Sequence, residues 1–178
     1  MNIEQQKYPA GKFVKPESVT PELMKQYLMV ISGFPSRIRK EVQDLTEEQL
    51  DTPYRAEGWT IRQVVNHCAD SHMNSLMRLK LALTENNPVI KPYFEDKWAE
   101  LPDSKNMPVE SALKMLEGIH ERWSVLIKNL SAEQMKRTFF HPENRIKFRV
   151  DENIGLYAWH CDHHLAHITR LKNARGWD

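Results

Sequence analysis

The chain has 178 residues, with 25 Lys+Arg against 24 Asp+Glu, eight His and two Cys. At about 150 residues per domain this is one domain, able to bury a full core without staples. A formal net charge of +1 argues against a nucleic-acid partner; Cys68 and Cys161 are too few for a disulfide framework and too far apart in sequence for a C-x-x-C metal pair.

Residues 1–19 read as an N-terminal arm in which Pro9, Gly11 and Pro16 bar a regular helix. The polar start, Met1 to Lys7, lacks the apolar stretch of a secretory signal. The longest apolar run, Tyr27 to Ile31, is too short to cross a bilayer. We therefore expect a cytoplasmic protein with no membrane partner.

Thr20-Pro21-Glu22 opens the first helix with a hydroxyl cap, a proline at the first helical position and a favourably placed acid. Gly33-Phe34-Pro35 predicts a kink or break before the helix resumes over Ser36–Leu45. Thr46-Glu47-Glu48-Gln49 is a capping box for one short turn, and residues 51–58 read as a loop. Thr60 and Gln63 open a second long helix that Asn86-Asn87-Pro88 stops. The stretch 87–107, with Pro88, Pro92 and Pro102, is a long loop of the kind that often serves function, with composition for a short helix at Glu95–Leu101. A third helix from Pro108 carries Leu113, Leu116, His120, Trp123, Ile127 and Leu130 on one stripe. Phe139–His141 and Lys147–Val150 suit a short hairpin, and a fourth helix runs from Asp151 to Asn173. The fold class is all-α: a four-helix bundle over residues 20–178 with the arm ahead of it and the long loop after helix two.

The fourth helix holds His160, His163, His164 and His167. With Ile154 at zero and about 100° per residue, Ile154, Ala158, Cys161, Leu165 and Ile168 form one apolar stripe. His160 and His164 lie one turn apart on its shoulder, so their rings can converge on one ion. On the second helix, His67 lies on the matching shoulder of the Ile61, Val64, Val65, Cys68 and Leu79 stripe. Together they predict a three-imidazole site between helices, suited to Zn, Ni, Cu or Fe. By the same geometry His72 is a packing residue or a hydrogen-bonding partner of a ligand, and His120 a core or pocket residue. His141 falls in a loop, and His163 on the outer face. Cys68 and Cys161 read as small buried hydrophobes that stay out of the metal shell. The Trp residues read as core and interface fillers.

The run Gly58-Trp59-Thr60-Ile61-Arg62-Gln63-Val64-Val65-Asn66-His67-Cys68-Ala69-Asp70-Ser71-His72 resembles the helix-two motif of the DinB-like superfamily. Leu156 to Ile168 resembles its final-helix motif, and within that superfamily the chain is most similar to the YfiT-type group of metal-dependent hydrolases and bacillithiol S-transferases. The resemblance implies a four-helix bundle, a homodimer and the ligand set His67, His160 and His164. We expect zinc first and nickel second.

Three neutral imidazoles leave an ion its +2 charge and an open position. The first expectation is a transferase in which a bacillithiol-type low-molecular-weight thiol, ionised on the metal, attacks a small electrophilic substrate. The alternative is hydrolysis by water activated on the metal, and a further one is a non-catalytic, metal-stabilised binding module. Asp70 is a candidate acceptor for a ligand N–H. Arg37, Arg145 and Arg149 are candidates for the charged groups of a co-substrate.

Overall fold

The structure, a computed structural model, describes residues 3–177; positions 1, 2 and 178, the outer ends of the expected arm and bundle, lie outside the described residues. Ahead of Pro9 the arm forms a short helix, α1 (Ile3–Lys7), where none was expected; Pro9 and Gly11 fall beyond its last turn. The arm, α1 included, is laid against the last long helix. Trp159 Nε1–H donates to the Gly11 carbonyl at 3.0 Å, Arg170 donates to the Gln5 carbonyl at 2.9 Å, and Lys15 pairs with Glu152 at 2.9 Å.

Thr20 accepts from the Leu23 N–H at 3.2 Å and opens α2 (Pro21–Val42). The expected break at Pro35 does not occur: α2 runs through it. Proline removes one intrahelical bond and leaves the carbonyl four residues back, that of Ile31, without its usual donor. That carbonyl accepts from His120 Nδ1 at 2.5 Å, so the helix continues with no orphaned acceptor.

Capping boxes open α3 (Glu47–Leu50) at Thr46 and α4 (Ile61–Thr84) at Thr60. The loop after α4 contains two short helices, α5 (Glu95–Ala99) and α6 (Pro102–Asn106), where the sequence suggested one. Gln63 Nε2 donates to the Ala99 carbonyl at 2.8 Å and ties α5 to the start of α4. Then follow α7 (Glu110–Lys128) and α8 (Ala132–Met135), opened by a Ser131 capping box. Strands β1 (Thr138–His141) and β2 (Ile146–Arg149) pair antiparallel with Phe139 opposite Phe148, the expected hairpin. Finally α9 (Val150–Arg175) ends on Gly176, whose φ of 66° is the left-handed cap that glycine adopts without strain.

The four long helices make the predicted bundle. Helix α2 packs on α7 and α9, and α4 packs on the same two. Sequence-consecutive α2 and α4 therefore sit across a diagonal, as do α7 and α9. The core has two apolar halves, one around Phe34, Ile38, Ile61, Val65, Leu116 and Ile168, the other around Ile31, Leu79, Ile90, Trp123, Phe139 and Ile154. A layer of histidines lies where they meet. The α4–α9 contact positions the candidate site. Among the described residues no helix is long and apolar enough to cross a membrane.

Candidate metal centre

Burial of Val64, Val65 and Cys68 against the core turns His67 toward α9. Burial of Ile154, Ala158, Cys161, Leu165 and Ile168 turns His160 and His164 toward α4. The three side chains that helical geometry selected therefore meet. His67 Nε2 lies 3.3 Å from His160 Nε2, which lies 3.1 Å from His164 Nε2. An ion held by imidazoles at about 2.0–2.1 Å with tetrahedral angles needs donor nitrogens about 3.3–3.4 Å apart. The observed spacings fit that requirement, and the group is self-consistent in having one candidate ligand atom from each residue.

Burial is the main cause of the electrostatic state. It lowers His67 to about 3, helped by His163, and holds His160 and His164 well below the usual imidazole range, with their histidine neighbours adding to the effect. All three are neutral near pH 7, the form that ligates a metal. Neutral imidazoles whose nitrogens converge this closely repel unless a proton or a cation lies between them. The donor set thus fits a divalent ion such as zinc.

The site opens on a cavity of about 380 Å³. Its walls include Tyr54, Arg55, Trp59, Trp159 and Glu95, with Lys7 and Tyr8 from the arm. The Trp59 ring lies 4.6 Å from that of His67. Sequence reasoning named none of these as cavity residues. The 51–58 loop and the arm carry no periodicity that would aim them, and only the tertiary fold does so.

His163 corrects an expectation. We expected it on the outer face, but it is 8% exposed, and its Nε2 lies 3.1 Å from that of His167. The arm and the 51–58 loop cover that side of α9: Tyr8 lies 6.0 Å from His163 and Tyr54 lies 3.9 Å from His167, ring centroid to ring centroid, while Trp159 of α9 itself stacks on His163 at 4.6 Å. Burial lowers His163 to about 4 and His167 to about 3. Together with His164 they form a second close group of ligand-type atoms on the cavity side. A third group, His72, His120 and Cys161, lies on the core side.

Asp70 does not meet its expectation. Among the described residues no hydrogen bond joins its carboxylate to His67, His160 or His164; the partner of His160 Nδ1 is His72 Nε2, at 3.0 Å. Three residues on from His67 the helix has turned by about 300°, and Asp70 faces Asp103 of α6. Burial first, then Asp103, raises its carboxyl to about 6. The arginines are also engaged elsewhere. Arg37 pairs with Asp162 at 2.8 Å, Arg149 pairs with Asp151, and Arg145 sits in the hairpin turn with a φ of 53°. None lines the cavity; Lys7 and Arg55 do. His120 and His72 are core residues, 1% and 0% exposed, whereas His141 at the end of β1 is half-buried rather than free in a loop. Cys68 and Cys161 are unpaired and fully buried, as expected.

Known proteins place this geometry in context. The chain is 51% identical over 171 residues to a Bacillus cereus (strain 03BB102) protein named "Putative metal-dependent hydrolase", covering 96% of this chain and 98% of that one. A Bacillus anthracis (strain A0248) protein of the same name is 50% identical over 171 residues, with the same coverage. Among solved structures, YfiT from Bacillus subtilis, described as "a probable metal-dependent hydrolase with an unusual four-helix bundle topology", superposes with a TM-score of 0.96. It is 44% identical, over 98% of this chain and 99% of that one. The diagonal placement of α2 and α4 is in keeping with that description. The model of the DinB superfamily matches residues 32–168, from within α2 to the last turns of α9, and the chain belongs to that superfamily.

Proposed function

We propose that this protein is a metal-dependent enzyme whose divalent ion, zinc first and nickel second, is held by His67, His160 and His164. The observation that carries the reading is the convergence of their Nε2 atoms at 3.1 and 3.3 Å on the wall of an open cavity. Relatives named as metal-dependent hydrolases over nearly the whole chain support it. When bound, the ion keeps its +2 charge against three neutral donors and supplies a position at which a thiol ionises or a water becomes acidic near neutral pH.

The first reading is thiol S-transfer from a bacillithiol-type co-substrate to a small electrophile. The chain's own thiols are unsuited as nucleophiles: Cys68 and Cys161 are sealed in the core, and burial pushes both pKa values up. The reacting sulfur therefore arrives with a co-substrate. Tyr54, Trp59 and Trp159 offer it and the electrophile aromatic walls, and Lys7 and Arg55 offer cations. We take the enzyme to work in the cytoplasm, a reading that rests on its few cysteines and polar start, and as a homodimer, a reading that rests on the motif resemblance.

The second reading is hydrolysis of a small ester or amide, favoured by the relatives' names. Glu95 lines the cavity and is the candidate general base of this reading. Turnover separates the two. The zinc-loaded protein is mixed with an electrophilic dye, with and without a bacillithiol-type thiol, and separately with a panel of esters. The first reading expects dye conjugation that needs both protein and thiol. Ester cleavage indifferent to thiol assigns hydrolysis, and no turnover of either at full metal loading leaves a metal-stabilised binding module.

A further inference from the structure

His72 and His120 are buried imidazoles that neither reading uses. They lie between the two apolar halves of the core, flanked by Phe34 at ring distances of 5.2 and 5.4 Å and by Trp123 at 6.0 and 5.7 Å. Three contacts join them in a line. His120 Nδ1 meets the Ile31 carbonyl at 2.5 Å, His120 Nε2 meets His72 Nδ1 at 2.7 Å, and His72 Nε2 meets His160 Nδ1 at 3.0 Å. The other nitrogen of His160 is the Nε2 that faces His67 and His164.

Chemistry at one end fixes the direction of the whole line. A carbonyl oxygen only accepts, so His120 Nδ1 donates. Each gap between facing nitrogens holds one proton, because two N–H groups pointed at each other would clash. His120 Nε2 therefore accepts from His72 Nδ1–H, and His72 Nε2 accepts from His160 Nδ1–H. Three protons fill three gaps and leave His160 Nε2 bare. Burial, the main cause, lowers His120 to about 4 and holds His72 well below the usual imidazole range, consistent with one proton per ring.

The starting carbonyl is available because of Pro35. In an uninterrupted helix the Ile31 oxygen would accept from the N–H of residue 35, which proline lacks. We infer that Pro35, His120 and His72 form a hydrogen-bond relay that fixes the tautomer of His160 and aims its Nε2 lone pair at His67 and His164. In this relay His72 and His120 are positioning residues for the candidate metal centre. Its purpose rests on the three-histidine reading; the proton pattern itself does not.

Long-range 15N–1H correlation spectra of the zinc-loaded full chain read each tautomer. The relay expects His72, His120 and His160 each to carry the proton on Nδ1, with His160 Nε2 bound to the ion. A proton on Nε2 of His72 or His120 overturns it. If the wild type takes up no zinc, the metal reading fails, and the same spectra of the metal-free chain still decide the relay.

Two variants add a functional readout. His120→Leu breaks the line one ring back from the ligand and is expected to weaken zinc affinity by about 10-fold, the low end of the effect of losing a ligand's direct hydrogen-bonding partner, because His72 stays in place but loses what fixes its tautomer. His120→Gln, with an amide N–H for the Ile31 carbonyl and an amide oxygen for His72, is expected to recover most of that loss. Wild-type affinity in the Leu variant, or a loss that Gln does not recover, reduces His120 to a packing role and overturns the relay. Where a variant does not fold, the wild-type spectra remain decisive.

Discussion

The ring of Tyr27 occupies the space that a side chain at Gly155 would need: a β-carbon there would lie 2.8 Å from Tyr27 Cε2 and 2.9 Å from Cζ. This close approach sets how α9 lies against α2, one and a half turns ahead of His160. Gly155→Ala gains about 1 kcal/mol of helix preference but meets overpacking of about 1–3 kcal/mol. We expect net destabilisation of about 1 kcal/mol in urea unfolding, partly relieved by adding Tyr27→Leu. A stabilised single variant would contradict this account of the α2–α9 contact.

Arg62 is the buried anchor of the loop that walls the cavity. Its side chain is 3% exposed and donates to Asp51 at 2.7 Å, to Glu47 at 2.5 Å and to the Met107 carbonyl at 2.9 Å. Arg62→Met keeps the stem but removes all three bonds. Hydrogen bonds to charged groups contribute about 1.5–3 kcal/mol each at most, and the partner acids are exposed enough to regain water, so we expect a loss of about 2 kcal/mol. Hydrogen exchange over residues 51–58 should quicken with it. Unchanged exchange there would show that the loop is held by other contacts.

Much of this was legible in the sequence because the signals were local. The caps at Thr20, Thr46 and Thr60 lie within one turn of the groups they satisfy, and each opens a helix where expected. His67, His160 and His164 were found because a 3.6-residue period and an apolar stripe are enough to orient a side chain toward a neighbouring helix. What failed depended on distant residues. Pro35 stays helical because His120, 85 positions away, takes the freed carbonyl. His163 is buried because Tyr8 and Trp159 enclose it, and the arm that brings Tyr8 has no pattern of its own. Asp70 was favoured as the partner of a ligand N–H because carboxylates often fill that place; here another imidazole, His72, fills it.

The buried histidines make the fold sensitive to acid. Burial lowers His67 and His167 to about 3 and His120 and His163 to about 4, and places His72, His160 and His164 well below the usual range. The unfolded chain takes up protons at these residues below about pH 6.5 while the folded chain does not. Stability from this source is therefore complete above pH 6.5 and is lost as pH falls toward 4, with a slope of about 1.4 kcal/mol per pH unit for each histidine fully titrated in the unfolded state. The melting temperature of the metal-free chain should drop steeply across that window. A flat profile from pH 7 to pH 4 would mean that these rings protonate in place.

The central claim is that His67, His160 and His164 hold one divalent ion. Elemental analysis of the wild type beside His67→Ala, His160→Ala and His164→Ala, each loaded with zinc and desalted, tests it most directly. We expect one ion per chain in the wild type and a small residual fraction in each variant, because two imidazoles alone hold zinc weakly. Full stoichiometric zinc in His160→Ala would move the ion to another set, with the His163–His167 pair the first to examine, and would contradict the account.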